Sequence, residues 1–520
     1  MTASQEKIVI IGAGIAGLAA ALRLGHAGCD VTVIDMHHAP GGKMRSLQSA
    51  AGPVDAGPTV LTMRHVFDRL FADVGADLAD HVTLTPLQTL ARHYWDDGTR
   101  LDLMADPEAS LANVRDAFGT KAAAEFVSFS ARARRLFDAF DAPMMRTAMP
   151  DQIAVVRKVL SRPRLIADMA PHRTMAGLLK SSFSDPRLAQ LFGRYATYVG
   201  GSPYQSPAIL SLIWQAEEQG VWTVAGGMQK LAQAIAGLAM QHGVRFHYQT
   251  RAQRITRQGG QISGVETTNG HFAGGTVVFN GDPRALATGL LGPGCTDAVP
   301  MQGTEPRSLS AYVHAFAAVP HGVDLAHHTV FFGHDPKAEF AALARNEMPA
   351  DASLYLCAQD HGTAAPDALQ RFEIIMNAAP VLRDPEQEKA QCQTLIFARF
   401  RQFGLTFSPT PGPDTLTTPQ GFDDLFPASL GSLYGRSPHG LTAAFKRPTI
   451  RTAMPGLYLA GGGVHPGAGV PMATLSGQHA AAAILSDLAL RSTSRRGVMH
   501  GGTSTASAPA APKPSASSGS

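Results

Sequence analysis

The spacing of apolar positions changes character along the chain, and the changes divide it into segments. Lys7-Ile8-Val9-Ile10-Ile11 is apolar at every position after the first, as expected of a strand buried on both faces of a parallel sheet. Leu18-Ala19-Ala20-Ala21-Leu22-Arg23-Leu24 then opens a helix, and Val31-Thr32-Val33-Ile34 predicts a second buried strand. From about 105 to 215 the period is mainly helical, rich in Ala, Leu, Phe and Met, with Arg134-Arg135 and Arg157-Lys158 at polar-face positions. Between 220 and 282 the pattern returns to α/β. A helix begins at Gly226-Gly227-Met228-Gln229, Val244-Arg245-Phe246-His247-Tyr248 reads as a strand, and a hairpin precedes the strand Thr276-Val277-Val278-Phe279-Asn280. Residues 290 to 445 mix helices with strands such as the one from Ser310 to Phe316, and a last strand runs from Leu457 to Ala460. Beyond 490 the composition shifts to Ser, Thr, Ala, Gly and Pro, which predicts a disordered tail.

Glycines placed at the ends of these strands give the pattern a chemical purpose. Gly12, Gly14 and Gly17 stand between the first strand and the first helix. There the free N–H groups of the helix terminus favour a pyrophosphate, and the missing Cβ atoms let it approach. Asp35 ends the second strand about 20 residues further on, where a carboxylate accepts from ribose hydroxyls. This unit alone fits NAD or FAD equally. A second glycine turn, Gly41-Gly42-Lys43, followed by Gly57-Pro58-Thr59, is of no evident use to a nicotinamide enzyme and turns the reading to FAD. A third glycine-rich loop, from Gly461 and Gly462 to Val470, follows the last strand, so one flavin would be clamped by both ends of the chain. Pro471 fits the first turn of the helix that follows.

Composition narrows the setting. A chain of 520 residues that is 45% hydrophobic is long enough for two or three domains with a large core. Its net charge of +3 is too small to indicate a nucleic-acid partner. Four widely spaced cysteines without a CxxC indicate neither a metal site nor a disulfide framework, which fits a reducing cytoplasm. With no signal-peptide pattern and no uncharged apolar run of about 18 residues, neither secretion nor membrane spanning is expected. The stretch from Val155 to Ile166 interleaves cations with aliphatics, as an interfacial helix does and as a solvated helix face does.

The Gly41-Gly42-Lys43-Met44-Arg45 turn and the Asp55-Ala56-Gly57-Pro58-Thr59 segment resemble those of the FAD-dependent amine oxidase and phytoene desaturase superfamily. Gly456 to Val470, then Ser476-Gly477, resembles the signature of bacterial-type carotenoid desaturases, with Val464 where Thr or Ala is usual. Arg194 to Tyr204 and Glu218 to Trp222 follow the same pattern. Gly431 to Gly440 and Pro53 to Arg64 are most similar to the hydroxyneurosporene and methoxyneurosporene desaturase family of purple phototrophic bacteria.

The resemblance implies an α/β fold: a discontinuous Rossmann-like FAD-binding domain of the amine oxidase/phytoene desaturase type, with an inserted α+β substrate domain. The flavin domain would comprise residues 5–85, 219–288 and 449–490. The insert would comprise a helical, membrane-associating region, 86–218, and a second part, 289–448, with 491–520 as tail. The implied activity is introduction of the 3,4 double bond into acyclic 1-hydroxy or 1-methoxy carotenoids. The alternatives are phytoene desaturation, FAD-dependent oxidation of another apolar substrate, and a non-enzymatic escort, which would not need the loop at Gly461. The implied location is the cytoplasmic side of the inner membrane, with oxygen or a quinone as electron acceptor. Few catalytic side chains are required because the polyene stabilises charge at the neighbouring carbon and the flavin accepts the hydride. The candidates are His465 as proton acceptor, with Arg194 and Glu218 as polar helpers. Each has a purely structural alternative, in loop shaping, ion pairing or capping. No residue is evident in the sequence as the partner of a 1-hydroxyl or 1-methoxyl group.

Overall fold

A strand that is apolar on both faces needs cover on both, and the first strand has it. In the computed structural model, which describes residues 6–499 apart from 364, 366 and 367, five strands pair in parallel. Their order is Leu457–Leu459, Thr276–Phe279, Lys7–Ile11, Asp30–Ile34, Arg245–His247. The first strand in sequence is thus the central one. Helix Ile15–His26 buries ten of its twelve residues, because helices Gln229–Gln241 and Val470–Met499 both lie against it. Close approach depends on missing side chains. A Cβ on Gly477 would lie 2.0 Å from the Ala16 carbonyl oxygen, inside any permitted contact.

The C-terminal helix continues to Met499, past the point at 491 where the composition implies a tail. Each further residue of an established helix adds a hydrogen bond without a new nucleation cost, so packing of its first half carries the second half along. Residues 500–520 of the expected tail lie outside the described residues.

The second sheet runs in the order Thr406–Ser408, Ser310–His321, Gln370–Ala378, Leu354–Ala358, His328–Phe331, Thr89–Tyr94, Arg100–Met104. Leu416–Thr417 also pairs with Ser310–His321. The segment from 86, read above as helical, therefore begins with two strands, joined by a turn at Asp96-Asp97-Gly98. At six and five residues these strands are too short to stand out beside the long helical pattern that follows. Alternation gives the sheet two unlike faces. Tyr312, Phe316, Phe372, Ile374 and Met376 pack with Ile396, Phe397 and Phe400 of helix Pro385–Gln402. Val313, Ala315, Glu373, Ile375, Tyr355 and Cys357 point the other way.

Between the sheets' contributions lies a helical segment. Its long helix, Pro107–Phe140, is interrupted at Gly119, whose φ of +89° is not helical. Phe126, Phe129, Phe183, Phe192 and Trp214 form its aromatic core.

A Gly477→Val substitution is expected to destabilise the fold by about 1–3 kcal/mol through overpacking, read as a lower denaturation midpoint. Gly237→Ala, where a Cβ would meet nothing within 4 Å on the Gln229–Gln241 helix, is expected to leave the midpoint unchanged or raise it.

Candidate functional site

The strand ends of the parallel sheet open into one cleft of about 770 Å³, a volume within the usual range for cofactor sites of about 300–1,000 Å³. Three glycine turns meet there: Gly12 and Gly14 from the first strand–helix junction, Gly41, Gly42 and Lys43 from the second, and Gly461 and Gly462 from the last. Gly57, Pro58, Asp35 and Val470 complete this lining. Of the thirteen cofactor positions drawn from the sequence, only Gly17 and Thr59 do not line the cleft. Gly17 supports it from behind, since a Cβ there would sit 2.1 Å from the Gly12 carbonyl oxygen. Thr59 turns away, its hydroxyl 2.7 Å from the Tyr355 hydroxyl.

Asp35 is buried and accepts backbone N–H groups from Ala13 at 2.6 Å and His37 at 2.7 Å. Burial raises its pKa above the ordinary carboxylate value, and the two N–H donors oppose that shift. The carboxyl orientation is thereby fixed, while each oxygen keeps a further lone pair toward the cleft. Thr250, Arg251, Gln253 and Thr268 surround this polar end. The opposite end is walled by Pro58, Val313, Ile375, Phe422 and Tyr434. A cleft with an acid at one end, backbone glycines in the middle and flat apolar walls at the other fits a dinucleotide carrying a flat ring system.

Several residues that hold the glycine turns together were not evident from sequence. Asn280, at the end of its strand, donates from Nδ2 to the Gly12 carbonyl at 3.0 Å, and its side chain would meet a Cβ on Gly14, Gly17 or Gly461. Ser476 Oγ accepts the Gly461 N–H at 3.1 Å. Arg447 is buried and donates to the carbonyls of Tyr434 and Gly462 at 3.0 Å and of Arg436 at 2.8 Å. Lys43 donates from Nζ to the Leu433 carbonyl. Its burial lowers its pKa to about 8, partly offset by Asp282. The Asn280 and Arg447 hydrogen bonds join residues 11 to 268 positions apart, and only the position of Asn280 after a buried strand hinted at any of them.

The three polar candidates stand elsewhere. His465 leaves the glycine loop on its outer side and donates from Nε2 to the Thr147 carbonyl at 3.0 Å. Burial holds its pKa near 4, so the neutral ring ties the loop to the helical segment. Glu218 pairs with Arg134 at 3.3 Å, away from the cleft. Its neighbour Glu217 takes the inward position, one helical step of about 100° away. Glu217 accepts from the hydroxyls of Tyr195 and Tyr198, each at 2.8 Å. Arg194 donates to the Tyr198 hydroxyl at 3.0 Å and lies over both tyrosine rings. Burial opposes its charge, but Tyr198, Glu217 and Tyr195 outweigh burial and raise its pKa. Arg194, Tyr195, Tyr198 and Glu217 thus form one buried network in the helical segment, and none of them lines the cleft.

Residues 15–323 match the flavin containing amine oxidoreductase family. The chain is 54% identical to a hydroxyneurosporene desaturase of Cereibacter sphaeroides over 94% of its own length and 99% of that protein. It is 50% identical to a hydroxyneurosporene desaturase of Rhodobacter capsulatus, over 93% and 98%. Among solved structures, the cyclohexylamine oxidase from Brevibacterium oxydans superposes with a TM-score of 0.55 at 17% identity, covering 93% of this chain and all of that one; this likeness is one of fold. The cleft, its glycine turns and these relatives agree: the chain belongs to the flavin containing amine oxidoreductase family, as an FAD-dependent oxidoreductase grouped with the hydroxyneurosporene desaturases.

Proposed function

We propose that this enzyme introduces the 3,4 double bond into acyclic 1-hydroxy or 1-methoxy carotenoids. The observation that carries the reading is identity above half with a hydroxyneurosporene desaturase, sustained over nearly its whole length. The cleft supports it. Beside the apolar end stand Ala311, Val313, Ile375, Phe422, Leu425 and Phe426, a wall suited to a polyene rather than to a charged amine. Bound FAD supplies a two-electron acceptor for the C–H hydrogen.

The protein's part is placement. Gly12, Gly14, Gly41, Gly42, Gly461 and Gly462 would hold the cofactor's phosphates and ring through main-chain contacts, and Asp35 would hold its ribose. The apolar wall would lay the polyene end flat, keep water out and present one bond of many to the ring. Oxygen or a membrane quinone would take the electrons onward.

The carotenoid is a membrane solute, and the helical segment offers a surface for reaching it. No helix among the described residues is long and apolar enough to cross a membrane. Yet Met149, just before helix Gln152–Leu160, is exposed, as are Ile153, Val156 and Leu160 of that helix and Ile166 of helix Pro163–Met169. Ile153 and Leu160 are 73% and 69% exposed, more than their apolar side chains favour in water. Arg157, Arg162 and Arg164 stand among them. This is the make-up of a segment that rests on an anionic lipid surface, here the inner membrane.

In cells that accumulate 1-hydroxyneurosporene, the enzyme is expected to yield a product lighter by two hydrogens with a red-shifted spectrum, read by chromatography and mass. In cells that accumulate phytoene it is expected to leave the pigment unchanged, and conversion of phytoene there would move the assignment to a phytoene desaturase. The Ile153→Asp, Leu160→Asp double variant is expected to lose about tenfold or more in partitioning to anionic vesicles. Its flavin content and its turnover in detergent are expected to stay at wild-type values.

A further inference from the structure

Buried ionisable groups in folded proteins are paired or hydrogen-bonded, because an unpaired one costs several kcal/mol. Glu373 breaks this rule beside the cleft. It lies in the middle of strand Gln370–Ala378, fully buried, and neither carboxyl oxygen has a hydrogen-bond partner. The Thr59 hydroxyl and the Gly57 N–H face it, but neither reaches it in hydrogen-bond geometry. Arg45 acts on it electrostatically, yet that guanidinium spends Nη2 on the Thr417 hydroxyl at 2.6 Å and leaves its own Nε unpartnered. Burial first, and the like charge of Asp55 second, push the Glu373 carboxyl well above its ordinary range. Burial thus favours its protonated form, which can both donate and accept.

Its position gives this reserve of hydrogen-bonding capacity a use. Strand alternation puts Glu373 on the same face as Ile375, which lines the apolar end of the cleft with Val313 opposite it. Two residues along a strand span about 6.6 Å, so Glu373 is one repeat beyond that wall. Glu373 is not itself part of the lining, but Gly57, which is, faces it. Its own cross-strand neighbours, Ala315 and Cys357, are small. The Tyr355 hydroxyl nearby is already engaged, with Thr59 at 2.7 Å and His328 at 2.6 Å.

The proposed substrate needs such a group at such a distance. With C–C bonds of about 1.5 Å, C1 of the carotenoid lies only about 4 Å from C4. A residue that recognises oxygen on C1 must therefore stand within about one strand repeat of the carbons being desaturated. An apolar wall alone discriminates weakly between a chain end with a hydroxyl and one without, whereas a buried polar partner discriminates strongly, because it is left unsatisfied by the wrong ligand.

We propose that Glu373 is the residue that binds the oxygen on C1 of the carotenoid and so selects hydroxylated and methoxylated chain ends over the hydrocarbon. The proposal rests on the desaturase reading above. A neutral carboxyl accepts from a hydroxyl and donates to either a hydroxyl or an ether oxygen, so one side chain serves both substrates.

The test compares 1-hydroxyneurosporene with neurosporene, in which a C1=C2 double bond stands in place of the added water, on flavin-loaded wild type, Glu373→Leu and Glu373→Gln. Turnover is followed by pigment analysis, and binding by quenching of protein fluorescence. Glu373→Leu is expected to lower kcat/KM for the hydroxylated pigment on the order of a hundredfold and to leave neurosporene binding within about threefold. The preference for hydroxyl then collapses, whereas a merely structural defect would weaken both pigments alike. Glu373→Gln, which still donates and accepts, is expected to restore most of the preference. Replacing an unpaired buried acid by an apolar side chain is expected to keep or raise the denaturation midpoint. Glu373→Met, which preserves side-chain length, carries the same expectation should the Leu variant fail to load flavin. A Leu or Met variant that loads flavin and keeps the wild-type preference overturns the role of Glu373 alone. A wild-type enzyme that converts no hydroxylated carotenoid overturns the desaturase reading and this one with it.

Discussion

Everything in this molecule depends on main-chain atoms approaching one another, and a dinucleotide, without side chains between them. The glycine turns after the first two strands and the last converge on one space, and backbone glycines line its middle. The same constraint recurs one layer out. Gly17 lets its helix meet the Gly12 carbonyl, and Gly477 lets the C-terminal helix meet the Ala16 carbonyl. Asn280 and Arg447 then fasten turns that packing alone would leave adjustable. Apolar burial supplies the stability, but the geometry of the site is set by where side chains are missing.

The parts of this design that are local in sequence were legible there. The first strand, its helix, the second strand and Asp35 occur within some thirty residues, and their order alone defines a nucleotide cradle. What escaped is what depends on distant partners or on a single helical step. Glu218 and Glu217 are adjacent and chemically identical, and only the direction each side chain takes from helix Ile213–Glu218 decides which one meets Tyr195 and Tyr198. His465 sits within the glycine loop in sequence, but the loop turns its imidazole outward to Thr147.

The second sheet was hard to read for a different reason. Its central strands are buried on both faces, so the alternation that would separate a core face from a site face is muted. Phe316, Phe372 and Ile374 meet the covering helix, whereas Val313 and Ile375 meet the cleft, and all are apolar. Glu373, on the site face, looks in the sequence like any strand glutamate. Its meaning comes from the absence of partners around it.

The order of strands in the parallel sheet also governs how the protein can be made. The N-terminal strand takes its neighbours from residues 30–34 and 276–279, and the sheet closes only with 457–459. A ribosome that has produced the first glycine turn must therefore extend the chain by more than four hundred residues before the last turn exists to close over it. Such long-range pairing folds slowly and leaves apolar strand edges uncovered in the interval. The nascent N-terminal half thus depends on protection from aggregation, and FAD can be captured fully only once synthesis has reached the C-terminal helix. Premature termination anywhere before residue 457 would leave a fragment without a complete flavin site, however intact its N-terminal fingerprint.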